Sequence, residues 1–284
     1  MLSYRHSFHA GNFADLLKHS IYIHCLHYMT QKTKSLRVID THSGAGIYSL
    51  HSAEARKNSE YLNGIDKIWN CTELPEIFET YRKHVMQFNN KDHHVYPGSP
   101  ALAMSLIRPI DQLFTHELHP ADFRLLQNLL RSQKNAKTLH EDGMESLLSL
   151  VPPPEKRGLV LIDPSYEIKQ EYQTIVNQLI KAYKRFSTGT FLLWYPVVSR
   201  SRIDEIEKTL KKSGIRNIQL FELAITADAP ESGMTSSGII AINPPWTLWK
   251  AMEDAMPFAI NLLSTNLPNG QKSGFYRLEQ LVDE

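Results

Sequence analysis

Apolar residues between Asn12 and Met29 recur at helical spacing, with Phe13, Leu16, Leu17, Ile21, Ile23 and Leu26 on the repeat and Asn12 before them as a cap. The next apolar run, Leu36, Val38 and Ile39, is short and closed by Asp40. It predicts a strand followed by the turn Thr41-His42-Ser43-Gly44-Ala45-Gly46. Further strands are predicted at 113–115, 136–138, 159–162, 190–194, 218–223 and 238–242, and helices at 120–132, 171–186 and 202–213. Seven strands alternating with helices predict an α/β fold, a doubly wound and mostly parallel sheet in a single domain over residues 1–284.

One interval breaks the alternation. Roughly seventy residues separate the first two strands, where a βα unit needs around thirty in all. Tyr61, Leu62, Ile65 and Ile68, then Ile77, Phe78, Tyr81 and Val85, keep helical spacing there. They predict an inserted helical subdomain over about 50–95, closed by the turn Tyr96-Pro97-Gly98-Ser99-Pro100.

Composition narrows the class. The net charge of +1 excludes a strongly basic nucleic-acid coat protein, so any nucleic-acid contact has to be a local patch. Cys25 and Cys71 form no Cys-x-x-Cys pair, and no apolar run approaches the roughly 18 residues that span a bilayer. A soluble, cytoplasmic monomer without a membrane anchor is expected. The thirteen histidines do not predict a metal site: His116-Glu117-Leu118-His119 misses the zinc-protease spacing by one residue, and His19, His24 and His27 lack an array of acids or cysteines.

The chemistry concentrates at strand ends. Leu159-Val160-Leu161-Ile162 reads as a buried parallel strand, and it stops at Asp163-Pro164-Ser165-Tyr166. The Asp163 carboxylate and the Pro164 carbonyl can each accept a hydrogen from one exocyclic amine, while the Tyr166 ring offers a face to a base. Asp-Pro after a strand is also an ordinary turn. The other strand ends supply the context. The two glycines of the 41–46 turn allow close backbone approach to a ligand, but the three-glycine dinucleotide fingerprint is absent, which disfavours a nicotinamide-dependent oxidoreductase. Glu117 follows the second strand, the place of a ribose-binding acid, and could instead pair with His116 or His119. Asp142 and Gly143 follow the third, where Asp142 could meet an adenine edge or cap the next helix.

This order describes an S-adenosylmethionine site with the acceptor base at the fourth strand end. Asn243-Pro244-Pro245-Trp246 matches the amine-holding type at least as well, but it follows the seventh strand. In such a sheet that strand is antiparallel, so its end lies away from the cofactor. The segment Tyr4-Arg5-His6-Ser7-Phe8-His9 concentrates cations and aromatics suited to phosphates and bases, and residues 1–12 are expected to cover the site.

Several motifs taken together resemble one family: the dodecapeptide from Met1 to Asn12, Asp40-Thr41-His42, Tyr96-Pro97-Gly98-Ser99-Pro100, Glu117-Leu118-His119-Pro120 and Trp194-Tyr195-Pro196. They are similar to the RlmJ family of 23S ribosomal RNA adenine-N(6) methyltransferases, nearly end to end. The resemblance implies a Rossmann-like methyltransferase fold with an inserted helical subdomain, S-adenosylmethionine as cofactor and 23S ribosomal RNA as partner. It implies that Tyr4 contacts the RNA base, that His6 and Lys18 assist substrate binding, and that Asp163 is the catalytic acceptor. His19, His42, Ser99, Glu117, Asp142, Gly143 and Asp163 would line the cofactor site. The chain departs from the family at Ser165, where the family has a second proline. Weaker preorganisation of the loop is expected, because Ser165 neither fixes its own φ nor restricts Pro164. A non-catalytic RNA-binding protein on the same fold is the alternative.

Overall fold

The computed structural model describes residues 4–89, 94–168, 170–228, 233–265 and 272–284. The first part of the chain forms α1 (Phe13–Thr30), β1 (Arg37–Asp40), β2 (Ile47–Ser49), α2 (Ala53–Asn58), α3 (Ile65–Trp69), α4 (Glu76–Met86), β3 (Val95–Pro97) and α5 (Ser99–Leu106). The alternation then becomes regular: β4 (Gln112–His116), α6 (Pro120–Leu130), β5 (Ala136–Leu139), α7 (Gly143–Leu150), β6 (Gly158–Ile162), α8 (Glu171–Arg185) and β7 (Thr190–Val197). It closes with α9 (Arg200–Lys211), β8 (Ile218–Ala224), β9 (Ser236–Ile242), α10 (Thr247–Leu263) and β10 (Phe275–Val282). Met1, Leu2 and Ser3, part of the segment expected to cover the site, lie outside the described residues, as do positions 90–93 of the expected insertion.

The main sheet has the order β10-β8-β9-β7-β6-β1-β4-β5. Strands β5, β4, β1, β6 and β7 run parallel, β9 lies antiparallel between β7 and β8, and β10 is antiparallel to β8. From β1 the chain first winds outward through β4 to β5, then returns to lay β6 on the other flank of β1. That reversal opens a crevice at the carboxyl ends of β1 and β6, the place where open α/β sheets bind ligands. β6 is buried at every position, which accounts for its uninterrupted apolar run.

The fold class is the expected one, but among the described residues the main sheet has eight strands, not seven. β10 escaped sequence reading because it has almost no core-facing pattern. Phe275, Tyr276 and Gln280 are exposed and only Leu281 is buried. Its backbone pairs with β8 from Phe275↔Ala224 onward, so the strand exists because β8 offers an edge. A small antiparallel pair, β2 with β3, also forms, with Tyr48 opposite Tyr96. It brackets the helices of the long interval. Those helices do not stand apart: α4 buries Ile77, Phe78, Tyr81 and Val85 and packs on α1 and α10.

Helix α1 is the element that shapes the site. Asn12 Oδ1 accepts from the backbone N–H groups of Ala14 and Asp15, the cap expected from the sequence. The helix is enclosed by the sheet and by α4, α5 and α10, so its polar residues Asp15, Lys18 and His19 are buried along with its apolar ones. Among the described residues, no helix is long and apolar enough to cross a membrane.

Candidate active site

β1 ends at Asp40, and the turn beyond it bends through Gly44 at φ +58 and Gly46 at φ +79, conformations that favour glycine. Gly44 also lies close to Tyr48, whose hydroxyl oxygen is 2.1 Å from where a Cβ would stand. Glu117, just past β4, braces this turn: Oε2 accepts from Gly44 N–H at 2.8 Å and Oε1 from His119 N–H at 2.6 Å. Burial raises its carboxyl above the usual range. Asp142 caps α7, with Oδ1 accepting from Met144 and Glu145 N–H at 2.8 and 3.1 Å. Both roles that the sequence left open for Asp142 are compatible, since the cap uses one oxygen and the residue still lines the cleft. Gly143 is required by packing, because a Cβ there would sit 2.2 Å from the Thr41 carbonyl oxygen.

Burial favours the neutral form of two imidazoles in the cleft. The Thr41 hydroxyl donates to Leu161 O at 3.1 Å, so its oxygen accepts from His42 Nδ1–H at 2.8 Å. Burial lowers the His42 pKa to about 4, against the pull of Asp163 and Asp142. His19 meets the Tyr96 hydroxyl at 2.7 Å, and burial takes it down to about 3. Ser99 donates to Asp40 Oδ2 at 2.6 Å. Burial pushes that enclosed carboxyl up to about 7, an effect that the Ser99 bond reduces and Asp163 increases.

Asp163 follows β6 and is reached from below by α1. The Lys18 ammonium lies 2.6 Å from Asp163 Oδ2 and 2.9 Å from Asp15 Oδ1. Asp15 Oδ2 in turn accepts from His6 Nε2–H at 2.9 Å and from Gly11 N–H at 2.8 Å, and the Tyr4 hydroxyl meets His6 Nδ1 at 3.0 Å. A chain of contacts therefore joins the amino-terminal segment to Asp163. Burial alone would raise the Asp15 pKa and lower that of Lys18. Instead His6, Lys18 and His19 hold Asp15 well below the carboxylate range, and Asp15 and Asp163 hold Lys18 above the ordinary lysine value. Lys18 is thus a fixed positive charge and not a base.

The loop after Asp163 departs from expectation at Tyr166. This residue sits at φ +52, uncommon for a large side chain, with only 9% exposure. Its ring packs 4.2 Å from Tyr172, and its hydroxyl donates to Trp194 O at 2.8 Å. Tyr166 thereby pins the loop that follows Asp163.

One cleft is lined by Tyr4, His6, Lys18, His19, His42, Ser99, Glu117, Asp142, Gly143, Asp163 and Pro164, and Ser165 joins them. Tyr166 is not among its lining residues. Asn243 lies at the other end of the sheet, where Ile242 pairs with Phe191 near the start of β7, and its amide donates to Ser187 O and Gly189 O. Sequence reasoning did not single out Asp15. The available signal was an acid one helical turn before Lys18 and His19, next to the apolar positions Leu16 and Leu17.

A family model described as "Ribosomal RNA large subunit methyltransferase D, RlmJ" matches residues 33–277. A curated protein of Haemophilus influenzae, "Ribosomal RNA large subunit methyltransferase J", is 43% identical over the whole of both chains. Its namesake from Escherichia coli is 45% identical over 91% of this chain and 92% of its own. Among solved structures, protein LPL1258 of Legionella pneumophila superposes with a TM-score of 0.87 at 37% identity, covering 96% of this chain and 98% of that one.

Proposed function

The chain belongs to the RlmJ family of large-subunit ribosomal RNA methyltransferases, and from that membership we propose that it methylates the exocyclic 6-amino group of an adenine in 23S ribosomal RNA, using S-adenosylmethionine. The cofactor, when bound, supplies an electrophilic methyl group. The cleft suits it: Glu117 can receive a ribose diol, Asp142 and the backbone at Gly143 an adenine edge, and His19, His42 and Ser99 the amino-acid end.

The acceptor amine is a poor nucleophile, because its lone pair is delocalised into the ring. Two acceptors that hold its hydrogens turn that lone pair outward. Asp163 Oδ1 and the Pro164 carbonyl are such a pair, and Lys18 occupies the other carboxylate oxygen. The nitrogen that gains a methyl group sheds one proton, for which Asp163 is the acceptor at hand. Tyr4, 37% exposed and lining the cleft, offers a ring to the base, and Tyr166 aims the Pro164 carbonyl by anchoring the loop to Trp194. The target adenine has to leave its stack, which is easiest in unpaired RNA free of ribosomal proteins.

The observation that carries this reading is the convergence of four strand ends and the amino-terminal segment on Asp163 in one cleft. Its test is transfer of labelled methyl groups to protein-free 23S RNA, followed by mass spectrometry of the nucleosides. N6-methyladenosine is expected with the native chain, falling at least about a thousandfold in Asp163→Asn, where a neutral amide also presents a donor to the amine. A methyl group on another atom, or undiminished transfer by Asp163→Asn, overturns the reading. Cofactor binding without transfer would favour the non-catalytic alternative.

A further inference from the structure

The contacts around Lys18 raise the question of why a second, wholly buried carboxylate should sit behind it. Asp15 is not itself among the residues that line the cleft. Yet it gathers Lys18 at 2.9 Å, His6 at 2.9 Å, Gly11 N–H at 2.8 Å and His19 at 4.0 Å around two oxygens with 1% of the side chain exposed. Burying such a charge is costly unless cations and N–H groups surround it, so the arrangement is tolerable only with its partners in place.

Resting on the reading of Asp163 as the acceptor-side carboxylate, we propose that Asp15 is a positioning residue for methyl transfer. It holds Lys18 charged and directed at Asp163 Oδ2, keeps Oδ1 free for the amine, and ties this state to the seating of the amino-terminal segment through His6. The geometry around Lys18 supports each part. The ammonium is 3% exposed and meets Asp15 from its own helix, Asp163 from the end of β6, and the Trp194 ring from β7 at 5.4 Å. Asp40, at the end of β1, lies within electrostatic reach of Asp163, and His6 and His19 lie within reach of Asp15. Without Asp15, Lys18 keeps one counter-ion in a buried setting, where desolvation favours the neutral amine. A neutral Lys18 is free to turn and to share either oxygen of Asp163. His6 loses its acceptor at the same time, so Tyr4 loses the residue that holds its hydroxyl.

The test is Asp15→Asn, which keeps the shape and removes the charge. Lysine labelled with 13C at Cε, with Lys18 assigned by Lys18→Arg, reads the ammonium directly and without RNA. In the native chain the Lys18 signal should stay in its charged position to the alkaline limit of the fold. In Asp15→Asn it should titrate at least about two pH units lower than in the native chain. Single-turnover methyl transfer should fall about a hundredfold and acquire an alkaline decline that tracks the Lys18 titration and that the native chain lacks, while cofactor affinity by calorimetry stays within about threefold. A Lys18 titration like that of the native chain, or a slowed reaction with an unchanged pH profile, overturns the proposal.

Should Asp15→Asn fail to fold, Lys18→Met with and without Asp15→Asn carries the test, since the pair removes both buried charges. With His6→Ala present in both chains, so that the amino-terminal contact is already lost, the second substitution changes the rate less than about threefold if Asp15 acts through Lys18, and a further tenfold loss overturns the idea. A native chain that methylates no RNA sinks the functional reading, whereas the lysine signal still reports on Asp15.

Discussion

Replacing Gly143 with alanine places a methyl group between two backbones that line the cleft proposed to take the cofactor. The new Cβ would stand 2.2 Å from the Thr41 carbonyl oxygen, 2.6 Å from Thr41 Cα and 2.8 Å from its carbonyl carbon, all nearer than the 3.0 Å that real Cβ atoms respect. The backbones must part by about 0.8 Å at the least, and neither yields easily, because overpacking against main chain has no rotamer to relieve it. On one side Thr41 is tied to Leu161 O through both its N–H, at 3.1 Å, and its hydroxyl, at 3.1 Å. On the other, α7 begins at Gly143 under the cap of Asp142. A shift of that size stretches a hydrogen bond of about 2.9 Å past the bonding range, and a lost bond to a charged group costs about 1.5–3 kcal/mol. Since Asp142 and His42 sit on opposite sides of the forced opening, Gly143→Ala should weaken cofactor binding by roughly 10- to 100-fold. It should also lower stability by about 1–3 kcal/mol. Isothermal calorimetry with S-adenosylmethionine and thermal melting of the same preparation measure the two effects. Affinity within twofold of the native chain together with an unchanged melting temperature would refute the reasoning.

Asn243→Ala separates the two look-alike tetrapeptides. It removes the bonds to Ser187 O at 2.8 Å and Gly189 O at 2.9 Å and leaves alanine at φ +48, so unfolding should be easier by about 1–3 kcal/mol while methyl transfer stays within twofold. Abolished transfer in a folded Asn243→Ala would move the acceptor site to that end of the sheet. Asp40 makes stability depend on pH. Its folded pKa, raised by burial to about 7, means that the native state binds its proton more tightly than the unfolded chain does. Its stabilising contribution is therefore fully present below about pH 4 and is lost, by about 1.4 kcal/mol per pH unit, as the pH rises towards about 7. Urea unfolding from pH 5 to pH 7 should show a slope that Asp40→Asn lacks. Equal slopes in the two proteins would rule out a buried, protonatable Asp40.

How much was legible depended on whether a feature is local. The Asn12 cap, the strand at β6 and the glycine turn after β1 are each decided within a few residues, and they form where periodicity and turn chemistry predicted. The ordering of Glu117, Asp142 and Asp163 after successive strands was readable for the same reason, because parallel strands bring their carboxyl ends to one edge. β10 was not readable. Its residues alternate without a buried face, and its stability comes from pairing with a strand some fifty residues earlier in the chain. The role of Tyr166 was hidden too: residue type suggested a ring for a base, whereas contacts with Tyr172 and Trp194 bury that ring and make it an anchor.

By itself, then, the sequence determined the α/β alternation, the long insertion and the set of polar groups gathered at strand ends, since these follow from periodicities of two and 3.6 residues and from caps and turns. Strand order already set Asn243 apart from Asp163, and the antiparallel pairing of β9 with β7 puts it at the other end of the sheet; what the sequence could not supply, and tertiary structure did, is the surroundings of each acid. Tertiary structure alone separated Asp15 from an ordinary solvated acid. The electrostatic weight of a carboxylate depends on what surrounds it, and Lys18, His6 and the sheet reach Asp15 only when the chain has folded.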